Sequence, residues 1–371
     1  MEKYFDLSLI YDYICQEYFC HIMKTLLKNA RLKKGLLVKD VAISTEIDQA
    51  LVSKFEHGAR KPTREQLLKL SQVLDLEYNT LIVAWLKEKF LYEIEDSRLG
   101  LEALKLAEEE LRYKISTIKK SVSKSLQSIL EEIDRLQLEL NSLRSLDSYK
   151  VAQALDLEYT FESNRIEGNT LTLRETDLVI NEGLTVSGKS MREHLEAINH
   201  TEAIGYVKEL VKKKMSLNEN TLLGIHQLIL RSIHPEDAGK YRNVQVMIQG
   251  SVHLPPQPYL VRKQMEDFFI WYESKKESLH PVLLAAEMHE RLVTIHPFID
   301  GNGRTSRLVM NLILLQHGYV IANIKGDYDT RMHYYKALEG VQVGKNKEPF
   351  LAFIAKAERD SLKRYLKILS P

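Results

Sequence analysis

Residues 293–315, VTIHPFIDGNGRTSRLVMNLILL, combine residue types that bind and act on phosphate groups. A histidine at 296 is followed four residues later by Asp300, and two glycines within three residues come next. Glycines let the backbone approach a ligand closely and aim several N–H groups at it. The apolar run 308–315 predicts a helix that begins at these glycines, and a helix N-terminus attracts anions. We therefore expect a phosphate-binding loop here.

Charged side chains around these glycines support the same prediction. Arg304 and Arg307 are three residues apart and would share one face of the first helical turn, aimed at one anion. Positive charge there opposes the helix dipole, so a bound anion best explains it. Asp300 beside phosphates would hold Mg²⁺, which takes one or two carboxylates. The sequence contains no GxxxxGK(S/T) string, so this site is not a P-loop.

The string HPFIDGNGRTSR, residues 296–307, resembles the Fic family signature HPFx(D/E)GNGRxxR at every specified position. The resemblance extends over about residues 150–365. It implies a helical core with a β-hairpin flap, and transfer of AMP from ATP to a Ser, Thr or Tyr hydroxyl of a protein. On that view His296 is the general base and Asp300 ligates Mg²⁺. The nucleotide-binding residues in the signature are then Asp300, Gly301, Asn302, Gly303, Arg304, Thr305, Ser306 and Arg307.

Two further segments continue the resemblance. Apolar and polar residues alternate in RNVQVMIQGSVHLPP, residues 242–256, which predicts one β-hairpin and matches the flap, whose edge would take a target peptide. The implied flap residues are Met247, Ile248, Gln249 and Gly250. Residues 330–344 resemble the segment that contacts adenine and ribose, and they nominate Tyr334, Tyr335 and Gln342. Core packing is the alternative for the two tyrosines, and the family often has asparagine where Gln342 stands.

The string SNRIEGN, residues 163–169, places a carboxylate where a helix dipole disfavours it. Ser163 and Glu167 share one helical face, and the glycine and asparagine that follow predict the helix end. Glu167 therefore has a cationic partner elsewhere or is solvated. The string resembles the Fic inhibitory motif (S/T)xxxE(G/N), which implies that Glu167 pairs with Arg307 and holds the enzyme inactive, or positions water to remove AMP. The implied inhibitory residues are Ser163, Glu167, Gly168 and Asn169.

Residues 27–76 resemble a helix-turn-helix of the XRE or lambda-repressor type. The whole chain has a net charge of +1, but residues 22–85 hold eleven lysines and arginines against seven acidic residues, which favours DNA as a partner. The implied DNA-binding residues are Gln49, Ser53, Lys54 and Arg60, with Lys61 near phosphates. Val38 and Lys39 depart from the family pattern, so protein contact by the same fold is the alternative.

The remaining patterns predict a mainly α protein. No proline occurs between residues 62 and 235, and apolar residues at steps of three and four over 111–143 predict a spacer helix or a dimerising coiled coil, and so a homodimer. The predicted domains are an N-terminal extension (1–21), the helix-turn-helix (22–85), the helical spacer (86–150), an inhibitory helix region (151–185) and the Fic core (186–371).

Composition narrows the setting. Two cysteines argue against a disulfide framework, and no segment has the pattern of a secretory signal or a membrane span, so a reduced, cytoplasmic protein is expected. His226 and His289 lie in apolar helical patterns and are interpreted as structural. Two alternatives to AMP transfer stay open: a transcription regulator whose Fic domain senses nucleotide, and a Fic enzyme that transfers phosphocholine or UMP.

Overall fold

The computed structural model describes residues 23–94, 96–119, 123–144, 148–344 and 346–369. The predicted N-terminal extension, residues 1–21, lies outside them. The chain divides into two compact units, Met1–Lys119 and Lys120–Pro371. The described residues are mainly helical, which confirms the predicted fold class in its coarse form. None of the helices in these ranges combines the length and the apolar character that crossing a membrane requires.

The first unit contains a helix-turn-helix among short helices. Its helices are α1 (Met23–Lys33), α2 (Val38–Thr45), α3 (Gln49–His57), α4 (Arg64–Leu74), α5 (Tyr78–Glu93) and α6 (Ser97–Lys119). The turn between α2 and α3 has Glu46 in the left-handed region (φ 55°), and the Asp48 side chain caps α3 by accepting from the N–H of Leu51. A buried bidentate ion pair of Arg31 with Glu56 (2.7 and 2.8 Å) joins α1 to α3.

The second unit is a helical bundle built around two central helices. Its helices are α7 (Lys124–Leu143), α8 (Tyr149–Ile166), α9 (Leu173–Asn181), α10 (Met191–Lys212), α11 (Glu219–Leu230), α12 (Pro258–Lys275), α13 (Pro281–Ile295), α14 (Asn302–Gln316), α15 (Tyr328–Gln342) and α16 (Glu348–Leu369). Helices α13 and α14 pack closely together, and nearly every residue of α14 up to Leu314 is buried. Other helices contact this pair: α12, α15 and α16 pack on α13, and α8, α10 and α11 pack on α14.

The predicted spacer does not form one segment. Residues 86–93 complete α5, α6 belongs to the first unit, and α7 belongs to the second. The apolar stripe of α7, with Leu126, Ile133 and Leu140 buried, packs against α16 of the same chain. A heptad-like stripe fits any neighbouring helix, so its period does not identify the partner. The homodimer stays a prediction.

The predicted β-hairpin is not found, because residues 242–256 form a loop and the described residues contain no strand. The loop still turns back on itself at Gly250 (φ 75°). Side chains link its two arms: Arg242 donates to the carbonyls of Val244 and Pro256, and Gln245 donates to that of Pro255. Two consecutive prolines remove N–H donors that a strand pair needs, and the side chains take the acceptors.

Glu358 in α16 is fully buried, and one of its carboxyl oxygens accepts from the N–H of Val320 (3.1 Å). Burial raises the pKa of Glu358 from an ordinary value of 4.5 to about 8, although that hydrogen bond lowers it. Between these two values the unfolded chain ionises the group and the folded chain does not. The contribution of Glu358 to the free energy of unfolding therefore falls as the pH rises through this window.

Glu358→Gln should remove this pH dependence. The free energy of unfolding of E358Q minus that of the wild type should rise from pH 5 to pH 8, by at most about 1.4 kcal/mol per pH unit, in urea denaturation of the whole chain. Glu348→Gln, at a half-buried position in the first turn of the same helix, is the matched control and should stay parallel to the wild type. A constant difference for E358Q would contradict a protonated Glu358.

Candidate active site

The loop between α13 and α14 is held in one tight conformation. His296, whose backbone is left-handed (φ 51°, ψ 57°), caps the C-terminus of α13, and Gly301 (φ 78°) caps the N-terminus of α14. The side chain of Asn302 closes the loop, because it accepts from the N–H and donates to the carbonyl of Phe298 (3.0 and 2.9 Å). A Cβ at residue 301 would stand 3.1 Å from Ile229, so both conformation and space favour glycine there.

His226 supports this loop from α11. Its Nδ1 accepts from the N–H of Gly239 and its Nε2 donates to the carbonyl of Asp300, both at 3.0 Å, while its ring stacks on Phe298. That pattern needs a neutral ring, and burial lowers the pKa of His226 to about 4. His226 is thus a buried, hydrogen-bonded residue, in keeping with its interpretation as structural. Its contact with Asp300 spans 74 residues, so no local pattern signals it.

The first turn of α14 carries two buried arginines with unused donors. Arg304 and Arg307 are 3% and 1% exposed. Three of their nitrogen atoms have no hydrogen-bond partner among the described residues: Arg304 Nε, Arg304 Nη1 and Arg307 Nη1. Arg304 Nη1 does form an ion pair with Oε1 of Glu196 at 3.3 Å, but without the geometry of a hydrogen bond. Buried guanidinium N–H groups without acceptors are costly, and an anion bound at this turn would satisfy them. These donors define the candidate phosphate site.

Glu167 lies against this turn. It caps the C-terminus of α8, and its Oε1 accepts from Arg307 Nη2 at 2.7 Å. A Cβ at residue 303 would collide with the same oxygen, so the Glu167 carboxylate packs directly on the backbone of Gly303. Arg307 also donates to the hydroxyl (3.0 Å) and the carbonyl (2.9 Å) of Ser163. The structure therefore brings together the glutamate and the arginine that the resemblance pairs.

The end of α8 is joined to Arg304 through Glu196. Gly168 takes a positive φ (97°) after Glu167, and Asn169 donates to the Glu193 carbonyl and to Oε2 of Glu196, each at 3.0 Å. Oε1 of the same Glu196 faces Arg304. One buried carboxylate thus touches both the segment that carries Glu167 and the candidate phosphate site. The resemblance did not indicate Glu196, which lies 27 residues from Asn169 and 108 from Arg304.

Asp300 presents a half-buried carboxylate at the edge of the site. Its Oδ2 accepts from Arg192 (2.7 Å), and its Oδ1 accepts from Arg304 (3.2 Å) and from the N–H of Gly301 (2.5 Å). Burial acts to raise the pKa of Asp300, but Arg304, the Gly301 N–H and Arg192 outweigh it and hold that pKa below its ordinary value. An ionised carboxylate beside phosphate-binding donors is the oxygen ligand that Mg²⁺ prefers, so this residue fits a metal.

The imidazole of His296 is neutral and has a free lone pair on one ring nitrogen. Its Nδ1 lies 3.2 Å from the carbonyl of Val293, and donation to that oxygen leaves the lone pair on Nε2. Burial lowers the pKa of His296 to about 4, Arg242 and His253 act in the same direction, and Glu167 acts against them. The ring is therefore unprotonated at neutral pH.

Other residues from the resemblance occupy different places. Thr305 and Ser306 are fully buried, and the Ser306 hydroxyl donates to the Gly303 carbonyl (2.9 Å). Tyr334 is also buried, with its hydroxyl 3.0 Å from Nε2 of His289, as the core-packing alternative requires. Tyr335 is 41% exposed and donates to the Ile166 carbonyl (2.9 Å), one residue before Glu167.

The last residues of this set lie at the surface or at a helix end. Gln342 is half-buried at the end of α15. In the loop 242–256, Met247, Gln249 and Gly250 are exposed and Ile248 is half-buried. The loop thus offers side chains and backbone to a partner even though it forms no strand.

The candidate DNA-binding residues lie on and after α3. Gln49, Lys54 and Arg60 are exposed, and Ser53 is half-buried. Lys61 differs from its prediction: it is half-buried, and its Nζ donates to the carbonyl of Glu88 (2.7 Å), so it holds the end of α5 instead of facing a phosphate.

Comparison with known proteins gives two domain matches. Residues 216–314 match the Fic/DOC family and residues 27–81 match a helix-turn-helix family. A protein named protein adenylyltransferase Fic from Nematostella vectensis is 38% identical over 244 residues, which cover 65% of this chain and 56% of the relative. A protein of the same name from Drosophila persimilis is 31% identical over 333 residues, covering 89% and 63%.

The fold has a match among solved structures. Fic-1 (residues 134–508) from C. elegans aligns with a TM-score of 0.59 and 25% identity, covering 94% of this chain and 98% of that one. The chain spans about half to two thirds of the length of the two curated relatives described above.

Ser163→Ala tests the support of Arg307. The variant removes the hydroxyl that accepts from Nε of a buried guanidinium and leaves that N–H without an acceptor. We expect the free energy of unfolding to fall by about 1–3 kcal/mol in urea denaturation. Ser163→Thr keeps the hydroxyl and should retain most of this stability. Equal stability of S163A and the wild type would show that this hydrogen bond is not formed.

Proposed function

Because the chain contains a Fic/DOC family domain at residues 216–314, we propose that it is a protein adenylyltransferase, which moves AMP from ATP to a serine, threonine or tyrosine hydroxyl of a target protein. The observation that carries this proposal is a set of buried N–H groups on Arg304 and Arg307 for which the described residues provide no hydrogen-bond acceptor. These groups lie near the N-terminus of α14, and the loop before this helix carries a neutral histidine. A triphosphate supplies the acceptors that these donors lack.

In the proposed reaction His296 acts as the general base. The target hydroxyl oxygen attacks the α-phosphorus of ATP, the bond from that phosphorus to the bridging oxygen breaks, and pyrophosphate leaves. The hydroxyl proton passes to Nε2 of His296. The N–H groups of Asn302 and Gly303 and the side chain of Arg304 would stabilise the charge that develops on the phosphoryl oxygens. The negative charge of bound ATP would raise the pKa of His296 and so make it a stronger base.

Asp300 is the proposed ligand of a magnesium ion. This ionised carboxylate would hold Mg²⁺, which would neutralise charge on the phosphates. Arg192 and Arg304 now bind the two oxygens of Asp300, so they keep the carboxylate ionised and fixed at the edge of the loop.

The proposal includes autoinhibition by Glu167. Its carboxylate forms an ion pair with Arg307 and packs on Gly303. A phosphate would otherwise bind at this position. A terminal phosphate of ATP would meet both an occupied arginine and a like charge. We propose as a second activity the removal of AMP from a modified protein, in which the same carboxylate would orient the attacking water molecule.

Glu167→Gly should therefore release the enzyme. With ATP labelled at the α-phosphate and a cell lysate as the source of acceptors, E167G should label protein at least about tenfold more than the wild type. A tenfold increase corresponds to the loss of an inhibitory contact of about 1.4 kcal/mol. Adding His296→Ala should lower that labelling by about 10²–10⁴-fold. Glu182→Gly changes an exposed glutamate after α9 and should behave as the wild type.

The label distinguishes the alternatives. In the same lysate, ATP labelled at the γ-phosphate should give no more labelled protein with E167G than with E167G combined with His296→Ala, because this reaction releases that phosphate in pyrophosphate. Labelled UTP or CDP-choline would label protein instead if UMP or phosphocholine is the transferred group. Equal labelling by E167G and the wild type would reject the inhibitory role of Glu167, and ATP-dependent DNA binding without any labelled protein would favour the sensor.

We propose further that the helix-turn-helix domain binds DNA through α3. The match over residues 27–81 and the exposed side chains of Gln49, Lys54 and Arg60 support this proposal. Exposed cations at a DNA backbone release counterions, so binding should weaken as salt concentration rises.

Two adjacent cations provide a matched test of this surface. Arg60→Ala should weaken binding of the whole chain to a mixed-sequence DNA duplex and reduce the slope of log affinity against log salt by about one. Lys61→Ala should leave that slope unchanged, because Lys61 is engaged with the Glu88 carbonyl. Fluorescence anisotropy at several salt concentrations measures both. An unchanged slope for R60A would remove Arg60 from the DNA surface.

A further inference from the structure

Arg242 is a buried arginine, and each of its three guanidinium nitrogens donates a hydrogen bond to a backbone carbonyl. It is 4% exposed, and no acidic side chain among the described residues forms an ion pair with it. Its Nε donates to the carbonyl of His296 (2.8 Å), Nη1 to that of Val244 (2.9 Å) and Nη2 to that of Pro256 (2.6 Å). One guanidinium therefore joins three separate stretches of backbone.

Two of these stretches are the arms of the loop 242–256. Val244 lies on the outgoing arm and Pro256 on the returning arm, and no strand ladder joins them. Arg242 and Gln245, whose Nε2 donates to Pro255 (3.0 Å), supply the cross-links. Of these two side chains, only Arg242 also reaches the residue proposed as the base.

The third stretch is under conformational strain. His296 has a positive φ (51°), which side chains other than glycine adopt at a cost of about 1–2 kcal/mol. The bond from Arg242 Nε fixes its carbonyl, and the backbone N–H of Arg242 donates to the next carbonyl, that of Pro297 (2.9 Å). The direction of the imidazole follows from this backbone, so its placement depends on Arg242.

We propose that Arg242 is a positioning residue that couples the two arms of the loop 242–256 to the backbone of His296. Arg242 thereby holds the direction of the imidazole relative to the loop on which a target protein would dock. The inference deepens the proposed function and rests on it for the nature of the partner. The coupling itself rests on the hydrogen bonds described above.

Arg242→Lys and Gln245→Ala separate the two roles of the cross-links when each is combined with Glu167→Gly. R242K keeps a positive charge but loses the three-way fork, whereas Q245A loosens the loop without touching His296. Two reactions are measured: AMP transfer to protein, and hydrolysis of ATP by water to AMP and pyrophosphate, which needs no docked protein.

R242K should lower kcat of both reactions at least about tenfold with KM for ATP little changed, since the phosphate site is intact. Q245A should weaken only transfer to protein, through a higher KM for the target. If R242K impairs only the protein reaction, as Q245A does, Arg242 serves the loop alone and the proposal fails.

A second readout does not require activity. The protonation of His296 can be followed by NMR in whole chain labelled at its histidines, in the wild type, R242Q and Q245A. Arg242, His253 and Glu167 are the charged or titratable groups that act on this imidazole, so R242Q removes one positive influence and should raise the pKa of His296. Q245A should leave it unchanged.

The two readouts fail separately. If E167G forms neither labelled protein nor AMP, the proposed function fails, and the titration still tests the contact of Arg242 with His296. An identical His296 titration in R242Q and the wild type would overturn the coupling. Thermal unfolding of each variant establishes that it is folded, and Arg242→Met, which also removes the charge, serves in the titration if R242Q does not fold.

Discussion

The charge of Arg307 is the constraint on which the candidate site depends. Its side chain is 1% exposed, so water cannot solvate it and an anion must. Glu167 supplies that anion at 2.7 Å, and the phosphates of a nucleotide are the natural competitors for the same guanidinium. The Glu167 carboxylate packs on the backbone of Gly303, so under the proposed function a phosphate bound there would have to displace it. In that proposal, inhibition and substrate binding use a single buried positive charge.

Rigid supports make that competition specific. The loop before α14 is fixed from α11 by His226, from within by Asn302, and from the loop 242–256 by Arg242. None of these contacts forms between neighbours in sequence except that of Asn302. Their combined effect is to hold the backbone N–H groups and the imidazole in place before any ligand arrives, which lowers the reorganisation that binding requires.

The sequence predicted local features well and remote ones poorly. The glycines and the apolar run indicated the turn and the helix α14, because backbone conformation depends on adjacent residues. The pairing of Glu167 with Arg307, 140 residues apart, came only from the family resemblance. Glu196, Arg192 and Arg242 gave no local signal, since buried charges reveal their partners only in three dimensions. The β-hairpin expected from the alternation of apolar and polar residues was wrong for a related reason. Side-chain donors from Arg242 and Gln245, and not a ladder of backbone hydrogen bonds, join the two arms of the loop.

The packing of helix α7 on α16 determines where the second unit begins. Leu126, Ile133 and Leu140 cover α16, and Lys363 of α16 pairs with Glu132 at 2.6 Å. A fragment that started at residue 151, the boundary drawn from sequence, would expose the apolar side of α16 and invite self-association. The smallest fragment with an intact interior starts before Lys124, so truncation studies of the catalytic portion should retain this helix.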